Sequence, residues 1–571
     1  MKRTYLSLIR NASLCVLLSL SLVPYIKLSA QQPAPVATEK KVETAPAEPS
    51  KDKPEEKKPE EKKDPLQNII APSPIPSLPV TQGYEVKDNT IDVIFSEYAG
   101  YAGLFWANNG LAPNEDSFFF KNYGFKVRIK MSETLDMKPL QNGDIAAYGD
   151  TADRLGTFGG SLDCVCGLLL DFSRGADQFV MRKEYKEPRD LLGKTVAVAS
   201  YSESEFLLRY LCRNNALNIN HLKGWDDAPK QNVVNFLLTE QADQAADLLA
   251  YDMQSRGAKK VAACIGWAPH TEEVSEKSNG KAYIAYTTRN QLLIADVVLL
   301  NKGFAKKYPK IAKGLLHGIL EGTQKVENLI KNNQKSELEV VIKSLTTNPE
   351  EPWTFERLKD DLSKIDRANY NTNVAFFNDT MPLGASFPRI YNLATTLFNR
   401  KPVPNEYKKF VNTAPLLEIG KENPNLTEEP IQLRRVQDPK SQHVLTYRRN
   451  IHLEFSRDTF DRLPDDSKTN QEMLSDIYET FKYSPGATIR LIGHIDDSLA
   501  EEKGRDWKRK NTPYARAASL KRAEVVKKTL EEKYGIDSSL ITIEGKGWDA
   551  PLPGALPQEN RRVEVLLYTL N

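Results

Sequence analysis

Between about Gly83 and Pro402, short apolar runs of strand length recur, separated by amphipathic stretches. "TIDVIFS" alternates apolar and polar positions and is read as a strand, and "GLFWANNGL" behind it opens a helix. "KVRIKMS", "DIAAYGDT", "KTVAVAS", "KVAACIGW" and "ADVVLLN" are further runs of this kind. Alternating β and α units predict an α/β fold with largely parallel sheets. From Val444 to Asn571 the alternation repeats on a smaller scale. "VLTYRRNIHLEF", "ATIRLIGHID", "LITIEGKG" and "RRVEVLLYTL" read as strands, and "NQEMLSDIYETFK" and "YARAASLKRAEVVKKTLEEKYG" as helices, the second closed by Gly535. This predicts an α+β module of about 120 residues, well within single-domain size.

Three segments break the pattern. Residues 1–30 have a basic start (Lys2, Arg3, Arg10), an apolar stretch from Ala12 to Ile26 and a small residue, Ala30, at their end. That apolar stretch is shorter than the roughly 20 residues that span a bilayer. Cleaved signal peptide and retained membrane anchor both stay open, and both place the chain in the periplasm or cell envelope. Residues 31–80 are dominated by Lys, Glu and Pro, as in "EKKVETAPAEPSKDKPEEKKPEEKKDP", too polar to offset the entropy of ordering, and predict an extended linker. A hydrophilic connector, 412–443, separates the main domain, 83–411, from the C-terminal module, 444–571.

Length and charge then narrow the function. At 571 residues the chain is too long for one core. A formal net charge of +2 argues against bulk binding to the phosphate backbone of nucleic acid. Beyond Cys15 the cysteines are Cys164, Cys166, Cys212 and Cys264, without the paired spacing of zinc ligands, and they read as small buried hydrophobes. The six histidines are scattered, and no Ser-His-Asp order, phosphate-binding Walker loop or HExxH motif occurs. The chain is therefore read as a non-enzyme with no cofactor and no metal.

Candidate chemistry concentrates in two places. In "LLGKTVAVASYSESEFLLRYL" a strand runs into Ser202-Glu203-Ser204-Glu205, a capping box that fixes a helix start. A helix beginning at the carboxyl end of a parallel strand presents free N–H groups and a positive dipole end to a cleft. Six pieces follow in order: "LFWANNGL", "LQNGDIAAYGDT", "SRGADQFVM", "LLGKTVAV", "IGWAPH" and "VVLLNKGFAKKYPKIAKGLLHGILEGTQ". Together they resemble the type II periplasmic solute-binding proteins of ABC importers, particularly the nitrate/sulfonate/taurine-type group. The stretch "NFLLTEQADQAADLLAYDMQSRGAKKVAA" departs from that family's pattern. The resemblance implies two lobes on a hinge that close over a small-molecule solute and offer it to a membrane permease. By position it nominates Ser96, Glu97, Tyr98, Gly149, Asp150, Thr151, Ser202, Glu203, Ser204 and Trp267 as ligand-binding. Tyr98 and Trp267 also suit core aromatics, and Ser202 is a cap with or without a ligand. Glu97 and Asp150 would repel an anion, which leaves a cationic or neutral solute open.

In the C-terminal module, "IRLIGHID", "ASLKRAEVV", "ITIEGKGWDAP" and "NRRVEVLL" follow in order. They are similar to the OmpA-like peptidoglycan-binding domain, which implies an α+β fold held on the cell wall. Carried over by position, Asp496 and Arg522 would contact the diaminopimelate-type stem peptide, the carboxylate taking its ammonium and the guanidinium its carboxylate. Asn560 and Arg561 would support them. Ile495, Ala515 and Ala518 depart from the family pattern, and "EEKGRDWKRKNTPY" is an insertion, read as a surface loop or as an extra glycan contact. His494 is read as packing or hydrogen bonding at the strand end, and Asp497 as a turn residue. The alternative to a transport role is a structural or sensory envelope protein whose two-lobed module binds a protein partner.

Overall fold

Alternation at Thr90–Phe95 places Ile91, Val93 and Phe95 inside and the residues between them at partial exposure. Burial on both faces gives Cys164–Ser173 an apolar run from Cys164 to Leu170, with Asp171 buried near its end. The computed structural model describes residues 64–134, 136–255, 259–431, 443–453, 463–464 and 467–571, so the targeting segment and the linker up to residue 63 lie outside it.

Residues 63–571 form one compact unit, which holds three sheets. Lobe one is built on six strands in the order Ile365–Arg367, Cys164–Ser173, Ala295–Asn301, Ala147–Thr151, Thr90–Phe95, Lys126–Met131. Lobe two orders Ile69–Ile70, Val234–Thr239, Thr195–Ala199, Val261–Trp267, Asp177–Arg182 and Ala282–Thr287, with Ile219–His221 beside Val234–Thr239.

The two-lobed α/β architecture matches the expectation, but parallel pairing holds for only part of each sheet. Cys164–Ser173 carries the chain out of lobe one and Ala295–Asn301 brings it back, so these two strands run antiparallel. Asp177–Arg182 and Ala282–Thr287 play the mirror role in lobe two and are likewise antiparallel. Crossing of the chain between lobes is what turns a parallel sheet into a mixed one.

The crossover at 173–177 is fixed by Arg174, which is buried and reaches both other passing segments. Its Nη1 lies 2.9 Å from Asp366 and its Nε donates to the Arg289 carbonyl at 2.6 Å. Regular structure also occurs within the segment expected to be linker. Ile69–Ile70, inside the expected linker, pairs antiparallel with Leu238 and Thr239 at the edge of lobe two. In the connector, Ala414–Glu422 is a helix whose Leu416 and Ile419 are buried.

The C-terminal sheet orders His443–Ile451, Val563–Leu570, Thr488–His494, Ile541–Gly547, with Lys468–Lys482 and Arg505–Tyr534 as its long helices. The insertion is not a loop. Ser498–Lys503 is one helix, and the rest is the first part of Arg505–Tyr534, which runs through Pro513. Proline removes a backbone donor from a helix. Here Asn511 and Thr512 side chains donate to the carbonyls of Trp507 and Lys508, at 2.8 and 2.9 Å, and Trp507 rests near Trp548 with ring centroids 6.1 Å apart. The two side-chain bonds are local to the helix, and the Trp507–Trp548 contact ties this first part of it to the rest of the module.

This module sits across the crossover. Asn290 donates to the Leu570 carbonyl at 2.9 Å, Leu292 N–H to the Tyr483 carbonyl at 2.7 Å, and Asn215 of lobe two to the Thr446 carbonyl at 3.0 Å. Arg213 pairs with Asp476 at 2.5 Å and Arg389 with Glu479 at 3.1 Å. Cys164, Cys166, Cys212 and Cys264 are buried free thiols, as the small-hydrophobe reading holds. Among the described residues no helix is long and apolar enough to cross a membrane.

Candidate functional site

Between the lobes lies a cleft of about 680 Å³, lined from lobe one by the ends of Thr90–Phe95 and Ala147–Thr151 and from lobe two by Asp177, Glu203 and Trp267. That volume lies within the range of small-molecule sites. Ser96, Glu97, Tyr98, Gly149, Asp150, Thr151, Glu203 and Trp267 all line it, brought together from four separate segments. Ser202 and Ser204 do not reach its wall. Ser202 is wholly buried, donates to the Ala199 carbonyl at 2.8 Å and accepts from Glu205 N–H at 3.2 Å, so it is spent on the cap. Ser204 is equally buried and donates to Glu203 at 3.3 Å.

Glu97 lines the cleft but is already engaged. Its carboxylate accepts from Trp353 Nε1 at 2.5 Å and from the Thr347 hydroxyl, with Arg357 at 3.4 Å. It therefore ties the segment 347–357 over the cleft instead of waiting for a ligand. Tyr98 donates to Asp171 at 2.8 Å and meets the Tyr101 ring edge to face at 5.2 Å.

Asp150 is different. One oxygen accepts from Thr151 N–H at 2.8 Å and lies 3.1 Å from Arg154 Nε, while Oδ2, buried in the wall, has no partner. Arg154 is the buried cation on which this region depends. Asp153 beside it is pushed up to about 7, chiefly by burial. Burial also raises Glu203 and Asp177, and raises Asp171 and Asp296 with added repulsion from neighbouring carboxylates. The helix start expected to welcome an anion thus carries the chain's own carboxylate, Glu203, at its first position.

Asp171, Asp177, Asp296, Tyr101 and Tyr148 were missed from the sequence. A carboxylate interrupting an otherwise apolar buried strand, as in "CVCGLLLDFS" and "ADVVLLN", was the signal available.

A pH dependence follows. Asp153, Asp171, Asp177 and Glu203 each have a folded value above the unfolded one, so the folded state holds extra protons, and the stability this brings is full below about pH 4 and lost as pH rises through about 6 to 8. Carboxylates held low by partners, such as Glu205 and Asp496, act only below their unfolded values, outside this window. Thermal unfolding of the ligand-free protein is expected at a higher temperature at about pH 5.5 than at about pH 8. An unchanged midpoint would show that the cleft carboxylates are solvated.

In the C-terminal module, Arg505–Tyr534 lies so close to the sheet that a Cβ on Gly493 would meet the Ser519 carbonyl at 1.8 Å, and one on Gly545 the Arg516 carbonyl at 2.3 Å. This contact brings Arg522 to the end of Thr488–His494, where Nη1 donates to the His494 carbonyl at 3.1 Å. Asp496 pairs with Arg561 at 2.5 Å and also accepts from the Ser498 hydroxyl. These ties hold its carboxyl below the usual range against the opposing effect of burial. Arg522 stays near enough for Asp496 to favour its charge, while burial and Arg561 lower its affinity for the proton.

Asn560 is buried and accepts from Leu552 N–H at 2.8 Å, a role inside the loop. His494 is buried at the strand end, 3.7 Å from Glu564, and Asp497 pairs with Lys508 at 2.8 Å.

No family model and no curated protein matches the chain. Solved structures with similarity include the periplasmic aliphatic sulphonate binding protein of Escherichia coli, at 14% identity over 58% of this chain and 100% of that one, with a TM-score of 0.40. The periplasmic nitrate-binding protein of Synechocystis PCC 6803 is 12% identical over 60% of this chain and 90% of its own, with a TM-score of 0.38. The ligand binding component of an ABC-type import system from Staphylococcus aureus is 12% identical over 58% of this chain and 98% of its own, with a TM-score of 0.37.

Proposed function

We propose that this chain is a solute-binding protein of the cell envelope. Residues 83–411 take up a small molecule between two lobes and offer it to a membrane permease of the ABC type, while residues 444–571 hold the protein on peptidoglycan. The observation that carries the first part is the cleft between the two lobes, with a buried oxygen of Asp150 left without a partner in its wall. A reading in which the two-lobed module binds a protein partner requires a pocket filled by its own side chains, and the 680 Å³ opening favours a solute instead.

The second part is supported by Asp496, Arg522 and Arg561 gathered at one strand end. The Asp496–Arg561 pair occupies the acid as it stands. A zwitterionic stem-peptide end would exchange with it, its ammonium replacing Arg561 at Asp496 and its carboxylate meeting the two guanidiniums.

Co-sedimentation with purified peptidoglycan sacculi tests this. The parent chain is expected to sediment with them, and Asp496→Ala combined with Arg522→Ala to reduce retention at least about tenfold, since truncating partners of a charged pair costs about 2–5 kcal/mol. Retention equal to that of the parent would remove these residues from the site.

A further inference from the structure

We infer that the solute of this cleft is an organic cation, a protonated amine or quaternary ammonium on a small carbon body. The inference rests on the solute-binding reading and specifies what is bound.

Twelve carboxylates line the cleft against two permanent cations, Arg357 and Lys364. Both cations are engaged by acids. Arg357 lies over the Trp353 ring and beside Glu97 and Asp361, and Lys364 is 2.9 Å from Asp360 and 3.1 Å from Glu272. An anion entering here would therefore find no uncommitted positive group and would face Asp150, Asp177 and Glu203 across low-dielectric walls, where like charges repel most strongly. For a cation each of these features has the opposite sign. The unpartnered Oδ2 of Asp150 and the carboxylate of Asp296, whose strand residue stands opposite Thr151 in register, supply acceptors.

Tyr98, Tyr101, Tyr148 and Trp267 add aromatic surface, which attracts a cation with a carbon body and holds it by its apolar part. A bare metal ion fits less well. Among the described residues no three His, Cys, Asp or Glu side chains converge to ligate one; the acids are distributed around an aromatic opening.

Titration calorimetry on the full chain tests the assignment with three sets of probes. Choline, putrescine and agmatine represent organic cations, isethionate and nitrate anions, and Zn²⁺ and Mg²⁺ metals. At least one organic cation is expected to bind saturably, with no heat from the anions. Asp296→Asn is expected to weaken that binding about tenfold or more, while raising the unfolding temperature of the ligand-free protein at about pH 8, because it removes the cost of keeping a buried carboxyl protonated. Glu203→Gln serves the same purpose should the first variant fail to fold.

Saturable anion binding without cation binding overturns the assigned class and leaves the solute-binding reading standing. Metal binding that Asp150→Asn abolishes replaces the organic cation with an ion. Heat from none of the three sets overturns the solute-binding reading itself, and the inference falls with it.

Discussion

Replacing Arg154 with Met is expected to destabilise the ligand-free protein by about 3–5 kcal/mol at about pH 8, read from urea unfolding. The side chain is about 1% exposed, its Nε is 3.1 Å from Asp150, and its Nη1 donates to the Tyr201 carbonyl at 3.2 Å. Methionine preserves most of its volume and contact with Phe158, so the loss is electrostatic. Without the guanidinium, Asp150, Asp153 and Glu203 face one another in a desolvated wall, and an uncompensated buried charge is the costly product of breaking such a pair. Two rescues separate this from general damage. Adding Asp150→Asn removes the stranded charge, and lowering the pH to about 5.5 protonates the raised carboxylates, so each is expected to recover more than half of the loss. A variant that unfolds at the parent's urea midpoint at pH 8 would mean that water already solvates these acids.

Gly493→Ala is expected to have a comparable effect on the C-terminal module. Its Cβ would sit 1.8 Å from the Ser519 carbonyl, backbone that belongs to a helix fixed by Gly547 N–H donating to Ser519 Oγ at 2.8 Å. The helix cannot yield locally, so the whole of Arg505–Tyr534 must lift from the sheet, carrying Arg522 away from the strand end. Overpacking of this kind costs about 3 kcal/mol or more, a large part of a domain's stability. Gly535→Ala is the control. It keeps an αL conformation, φ 68°, with nothing within 4 Å of the new methyl, and about 1 kcal/mol is expected there. Retention on sacculi and near-ultraviolet circular dichroism distinguish the two, since only Gly493→Ala should lose both. Equal losses would show that the trough formed by Gly493 and Gly545 is not tightly closed.

Much of the architecture was legible because it is written in local chemistry. Alternation marks Thr90–Phe95, Ser202 and Glu205 mark the start of Glu203–Asn214, and Gly535 marks the end of the last long helix. The cleft positions after the first strand, Ser96 to Tyr98, were nominated by the resemblance, and they lie where ligand groups gather at strand ends in α/β folds. What escaped depends on contacts between distant segments. The wall acids Asp177 and Asp296 are separated by more than a hundred residues and meet only after both crossovers are made. Pro513 reads as a helix stop unless the Trp507–Trp548 contact, which ties the first part of the helix to the rest of the module, is known. The seat of the C-terminal module on the crossover uses the carbonyls of Leu570, Tyr483 and Thr446, groups that every residue possesses and no sequence pattern marks.

The two-residue strand Ile69–Ile70 has a mechanical meaning. It joins lobe two at the sheet edge, antiparallel to Leu238 and Thr239. Tension applied from the N-terminal side would reach lobe two through the short turn Pro65–Asn68, whose Leu66 packs on the lobe's core, and through this strand, before any central strand of the lobe. A short edge strand pulled from its end peels one hydrogen bond at a time, whereas strands within a sheet shear together. The attachment would therefore act as a fuse, giving way at low force and sparing the cleft from distortion.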